Sequence, residues 1–214
     1  MKSTHWVFWG WLAVALPAGA QINVNAELVT AARAGSEAGV RGALDRGAAV
    51  DSRNRLGDTP LNTASRLGNI RLATLLLDKG ANANLANLAK VTPLMAASFG
   101  GHLDIVRALL RAAADPGATD RVGKTAMVYA AGAGRTAVVE ELLAAGSPVD
   151  ARYDNDLTAL MWAAGAGQAE TVRLLLARGA DRNLKDNRGM DAITMAETQG
   201  HAGVVEILRS GTVR

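Results

Sequence analysis

A single step of 33 residues runs through this chain and constrains it more than any other feature. Thr59, Thr92, Thr125 and Thr158 stand one step apart, as do Gly68, Gly101, Gly134, Gly167 and Gly200. Leu61, Leu94, Met127, Leu160 and Ile193 keep the same register, and so do Ala64, Ala97, Ala130, Ala163 and Ala196. A unit this short cannot bury an apolar face alone, so the period predicts a solenoid in which each unit stacks on its neighbours. Stacked units build an extended surface and seldom enclose a catalytic pocket.

The residues around each threonine specify a helix. Threonine followed by proline, as at Thr59-Pro60 and Thr92-Pro93, supplies an N-cap oxygen and a first helical residue with its φ already set. Leu61 with Ala64, and Leu94 with Ala97, place an apolar stripe on that short helix, with alanine where helices approach closely. A second helix follows, carrying Ile70, Ala73, Leu76 and Leu77 in one unit and Val172, Leu175 and Leu176 in another. Gly47, Gly80, Gly146 and Gly179 stand just past it, where a left-handed residue ends a helix; Ala113 takes that place once, which predicts either strain or a longer helix.

These units resemble ankyrin repeats, whose pattern is 33 residues with a T-P-L-H-x-A signature. The chain reads TPLNTA at Thr59–Ala64, TPLMAA at Thr92–Ala97, TAMVYA at Thr125–Ala130, TALMWA at Thr158–Ala163 and a degenerate DAITMA at Asp191–Ala196. Gly101–Leu110 is similar to the family's second helix, and Gly80-Ala81-Asn82-Ala83-Asn84 to its exit. The resemblance covers about residues 24–211 without an insertion. It implies an all-α solenoid of helix-turn-helix units joined by β-turn or hairpin-like tips. The expected order is an N-terminal cap at about 24–53, repeats at about 54–87, 88–120, 121–153 and 154–186, and a C-terminal cap repeat at 187–211. Residues 21–214 form one domain on this reading. The caps follow from the residues too: Leu28, Ala31, Gly35 and Leu44 keep register without the opening threonine, and Glu197, Gln199 and Glu206 wet the last unit.

The first twenty residues stand outside the repeats. Lys2 precedes an apolar run from Trp6 to Leu16, and Pro17-Ala18-Gly19-Ala20 follows with small residues at a cleavage spacing. This is the pattern of a secretory signal peptide, too short to span a membrane comfortably, with cleavage expected after Ala20 and no stable membrane anchor afterwards. The expected address is the periplasm of a Gram-negative bacterium, with release beyond the cell as the alternative. With no cysteine, an exported chain has no disulfide to hold it and no thiolate for metal or haem.

The formal charge is +3, and loss of Lys2 with the leader leaves +2. Both signs mix along the turns, as in Arg53, Arg55 and Asp58, or Asp120, Arg121 and Lys124, which predicts a solvated mixed surface and no nucleic-acid partner. His102 and His201 occupy one register position three units apart, so at 8–10 Å per unit they stand about 25–30 Å from each other and share no metal. No G-x-S-x-G, phosphate-binding glycine loop or H-E-x-x-H occurs. The expectation is a chain without catalysis, metal or cofactor.

Ankyrin repeats bind proteins through turn tips and the concave face of the first helices. Carried over by register, the concave positions are Thr63, Ala96, Tyr129, Trp162 and Met195, then Arg66, Phe99, Gly132, Gly165 and Thr198. All four aromatics of the mature chain fall in three consecutive units. The candidate groove is therefore Phe99, Tyr129, Trp162 and Met195 with Gly132, Gly165 and Arg66, and the candidate tips are Arg55, Lys90, Arg121, Tyr153 and Arg188. Tyr129 and Trp162 either face a partner or fill space between neighbouring helices. Gly132 and Gly165 correspondingly make room for a partner or for a ring. Lys90 and Asp156 replace the turn glycine seen at Gly57, Gly123 and Gly189, which predicts a steric penalty if their φ is positive. The expected function is a monomeric protein-interaction scaffold with an unknown periplasmic protein as partner. The alternative is an accessory factor that stabilises or activates one periplasmic enzyme; an enzyme or small-ligand binder ranks last.

Overall fold

Each repeat threonine opens a helix by capping it. In the computed structural model, which describes residues 18–210, the hydroxyls of Thr59, Thr92, Thr125 and Thr158 accept hydrogen bonds from the backbone N–H three residues on. Asp191 does the same with its carboxylate at 2.8 Å from the N–H of Thr194. The helices pair as α1 (Ala18–Arg33) with α2 (Glu37–Asp45), α3 (Pro60–Leu67) with α4 (Ile70–Asp78), and α5 (Pro93–Gly100) with α6 (Leu103–Arg111). Then come α7 (Ala126–Gly132) with α8 (Thr136–Ala144), α9 (Ala159–Gly165) with α10 (Ala169–Ala177), and α11 (Ala192–Thr198) with α12 (Ala202–Ser210). The expected all-α solenoid is what the chain forms. Of the expected leader, Ala18–Ala20 open α1, and residues 1–17 lie outside the described residues. Among the described residues no helix is long and apolar enough to cross a membrane.

The pairs stack in two rows. An inner row runs α1, α3, α5, α7, α9, α11, and an outer row runs α4, α6, α8, α10, α12. The inner row packs more tightly because Ala64, Ala97, Ala130, Ala163 and Ala196, all fully buried, let backbones approach. Leu61, Leu94, Met127 and Leu160 seal the space between rows at 1% exposure or less. On the outer row Leu72 and Leu76, Val106 and Leu109, Val139 and Leu142, Val172 and Leu175, and Leu208 are fully buried. Ile70, Leu77 and Leu176, expected in the apolar stripe, flank this core half-buried, because a helix nine residues long turns them toward its edges.

Between the two helices of each unit one side chain reaches back to its predecessor. Arg135 Nε donates to Phe99 O at 3.0 Å, Gln168 Nε2 donates to Gly132 O at 3.3 Å, and His201 Nε2 meets Gly165 O at 3.2 Å. These contacts satisfy carbonyls left open at the C-terminal ends of α5, α7 and α9. They also explain the glycine column. Gly101 and Gly167 have positive φ, and a Cβ on either would sit 2.7 Å from the Arg135 or His201 side chain. The histidines pack between units, His102 against Gly68 and Gly100 and His201 against Gly167.

The tips are five-residue turns closed in hairpin fashion: the N–H groups of Asn54, Asn87, Asp120, Tyr153 and Asp186 donate to the carbonyls of Asp58, Val91, Lys124, Leu157 and Met190. No strand occurs among the described residues. Asn54, Asn87, Asp120 and Asp186 hold their turns by accepting two further backbone N–H bonds on one side-chain oxygen. Tyr153 cannot do this. Its tip tightens into a short 3-10 turn at Asp154–Asp156, with Asn155 and Asp156 both left-handed at φ 60° and 61°. Lys90 is left-handed too, at φ 60°, so the condition on which the sequence expected a steric penalty is met there and at Asp156. Ala113 resolves toward strain: α6 stops at Arg111 and Ala113 sits at φ 57°.

Candidate protein-binding surface

Side chains from three successive inner helices lie in one line across the inner row. Phe99 of α5 stands edge-on to Tyr129 of α7, ring centres 6.0 Å apart and planes at 84°. Lys124, from the tip before α7, bridges onward, with Nζ 5.9 Å from the Tyr129 ring centre and 4.5 Å from that of Trp162 on α9. A cation over an aromatic face at this range contributes about 0.5–1 kcal/mol where solvent reaches it. Phe99 is 58% exposed, whereas Tyr129 and Trp162 are half-buried and pack on the core. Tyr129 and Trp162 thus pack partly on the core and stay partly open to solvent, and Phe99 is the most exposed of the three rings.

Asp120 anchors the cluster from beneath. The Tyr129 hydroxyl donates to Asp120 Oδ2 at 2.6 Å, while Oδ1 accepts the N–H groups of Val122 and Lys124 at 2.9 Å each. Burial pushes the Asp120 carboxyl up, but the bonds from Tyr129, Lys124 and Val122 and the charge of Lys124 outweigh it and hold it below the usual range. Burial first, then the bond to Asp120 and its charge, push the Tyr129 phenol up to about 12. Near neutral pH one is a bonded carboxylate and the other a neutral phenol, so neither is poised as a general base. What the cluster offers is aromatic area and one cation. Among the described residues no group of three acidic, histidine or cysteine side chains could hold a metal ion.

Beside Trp162 the face opens into a depression of about 360 Å³, walled by Met161, Gly165, Arg188, Met190 and Met195. Met195, expected as a groove contact, is 8% exposed; its side chain mainly packs the C-terminal unit and lends the depression only an edge. Gly132 and Gly165 are half-buried at the ends of α7 and α9. A Cβ on Gly132 would meet Trp162 at 3.9 Å and one on Gly165 would meet Met195 at 3.8 Å, both ordinary contacts. Clearance for a ring is thus not what requires either glycine. Arg66 is exposed but its guanidinium bonds the buried Asp58 at 3.1 Å, which fixes its direction.

Of the expected tip residues, Arg55, Lys90 and Arg121 are exposed and carry no ion pair among the described residues. Arg188 is exposed and tethered to the buried Asp186 at 2.8 Å. Tyr153 differs from the expectation: it lies half-buried against the core, where burial pushes its phenol up against a hydrogen bond with Thr125, so its ring is mostly spent on packing. The sequence reading missed Lys124 and Asp120 as cluster members. Their signal lies in the register columns, where Lys124 is the lone cation among Asp58, Val91, Leu157 and Met190.

The mixed-charge reading of the tips also changes. Asp58 and Asp120 are 1% and 7% exposed, so the first two acidic groups of the mixed runs face inward. Exposed carboxylates lie elsewhere, on outer helices at Asp78, Asp104, Glu140, Glu170 and Glu206 and in later loops at Asp115, Asp154, Asp156 and Asp181.

Comparison with protein families gives one match, to the model described as ankyrin repeats (3 copies), over residues 28–120, 82–153 and 127–213. No curated protein matches the chain.

Proposed function

The chain belongs to the ankyrin-repeat family, and from that premise we propose that it is an exported, non-catalytic scaffold that binds a periplasmic protein through its concave groove and turn tips. Ankyrin repeats generally mediate protein–protein interaction and are usually without catalysis of their own. The observation that carries the reading is the Phe99–Tyr129–Lys124–Trp162 cluster: large rings from three units, pre-positioned and part-exposed, next to an apolar depression. Rigid aromatics of this kind dominate binding energy at interfaces because they bury much area at small entropic cost. Export is supported by the pattern of residues 1–20; with no cysteine in the chain, stacking alone would hold the exported fold.

Capture from periplasmic extract with the chain beginning at Gln21 tests the proposal. A partner held by the native chain should bind Trp162→Ala about 30-fold more weakly, equivalent to about 2 kcal/mol. Equal capture by both forms would remove the cluster from the binding site. N-terminal sequencing of fractionated protein tests the address, with Gln21 as the expected first residue and intact Met1 in the membrane as the refuting one.

A further inference from the structure

Every large apolar side chain exposed among the described residues falls in one stretch: Leu56, Leu67, Leu88, Phe99 and Val122. None is on an outer helix. Leu56, Leu88 and Val122 are 65%, 57% and 60% exposed, on the crests of three successive tips. Backbone bonds join those tips into one ridge, from Leu88 N–H to Leu56 O at 3.0 Å and from Arg121 N–H to Ala89 O at 3.2 Å. Arg55, Lys90 and Arg121 stand exposed beside the three apolar crests. The only carboxylates of these tips, Asp58 and Asp120, are buried and hydrogen-bonded inward. Within these three tips water therefore sees cations and aliphatic side chains without an exposed carboxylate, up to the far edge where Asp154 packs against Gly123. One tip further on, the sign reverses with exposed Asp154 and Asp156.

Resting on the reading of the chain as a protein-binding scaffold with contacts at its tips, we propose the chemistry of what this ridge takes: an extended segment of a partner protein carrying carboxylates interleaved with aliphatic or aromatic side chains. Turn chemistry does not call for aliphatic crests; polar residues and glycine fold such turns without exposing apolar area. Three unpaired cations select an acidic occupant by complementarity and reject a basic one. The spacing sets the length. Units stack about 8–10 Å apart and an extended chain rises about 3.3 Å per residue, so the segment advances about three residues per tip and spans the ridge in about nine. A nucleic acid strand would use the cations but not the crests, since bases stack on aromatic faces and Leu56, Leu88 and Val122 have none.

The test pans a library of random nonapeptides against the immobilised chain, then measures the selected peptides by fluorescence anisotropy. Selected sequences should be enriched in Asp and Glu together with Leu, Ile, Val or Phe. Their affinity should fall at least about tenfold for Arg55→Glu/Arg121→Glu, and again when salt rises to about 300 mM. Both substitutions are at exposed, unpaired positions, so an unchanged melting temperature checks that the variant is folded. Selection without acidic enrichment, or equal binding to the double variant, overturns the proposal. Peptides that lose binding in Trp162→Ala instead lie in the concave groove and overturn it as well. Charge-dependent binding of an oligothymidylate in place of the peptides would make the occupant a nucleic acid. A concentration-dependent dimer lost in the double variant, read by sedimentation, would make it a second copy of the chain.

Discussion

Tyr129→Phe removes one oxygen and leaves the aromatic packing in place. The lost group is the hydroxyl that donates to Asp120 Oδ2 at 2.6 Å, and Asp120 is 7% exposed, so water has little room to replace it. A hydrogen bond to a charged group is worth about 1.5–3 kcal/mol, and we expect a loss near 2 kcal/mol at pH 7. For a domain of this size that lowers the melting temperature by about 4–8 °C. The pH dependence carries the signature. The folded Asp120 carboxyl is held below its ordinary value, so its stabilisation is present above the unfolded pKa of about 4 and is lost as pH falls through the folded one. The folded Tyr129 phenol lies at about 12 against an ordinary 10, so its stabilisation is complete below pH 10 and disappears as pH climbs toward 12. Two pH units correspond to about 2.7 kcal/mol at most, and solvent at the half-exposed ring reduces that to about 1 kcal/mol. The gap between native and variant should therefore be widest from about pH 4 to 10 and narrow on both sides. Urea titrations near pH 3, 7 and 11 measure it. A gap independent of pH, or one below about 0.5 kcal/mol at pH 7, would refute a bonded Tyr129–Asp120 pair.

Three further substitutions probe the repeat register. Ala113→Gly should stabilise by up to about 1 kcal/mol in a urea titration, because φ is 57° and the matching Gly80, Gly146 and Gly179 are all left-handed with open space around them. Gly165→Ala should stabilise by up to about 1 kcal/mol in a thermal melt, since the new Cβ would meet Met195 at an ordinary 3.8 Å; an early melt would refute that contact. Ser98→Ala should be neutral or stabilising by about 1 kcal/mol, because the Ser98 hydroxyl is buried without a partner and Ala131 and Ala164 stand at the same place in later units; a clear loss in urea midpoint would reveal a partner in solution.

The solenoid was legible because its determinants repeat. Thr59 and Thr92 cap helices using their own hydroxyls and the next few backbone groups, and Ala64 or Ala97 specify close packing by size alone. These are local or nearest-neighbour properties, so a register column displays them directly. Lys90 and Ala113 were legible as places where glycine's absence from a column would make a positive φ costly; that both adopt it was decided by the structure. The aromatic cluster was legible as a set of residues, though not as an arrangement. Which face of Trp162 meets solvent, and that Lys124 reaches over it from the preceding tip, depend on how α7 and α9 sit side by side.

Sequence by itself determined the period, the caps, the alanine seam and the order of stacking, because each is written within one unit and repeated. Tertiary structure alone decided the direction of charge. Asp58 and Asp120 stand in the chain beside Arg55 and Arg121 and read as a neutral mixture, yet both turn inward to bond Asn87, Arg66, Tyr129 and backbone N–H groups. Their neighbours Leu56 and Val122, which composition would place inside, turn out to the crests. A five-residue tip can point a side chain to either side, and only the stacked neighbour supplies the partner that makes one side lower in free energy.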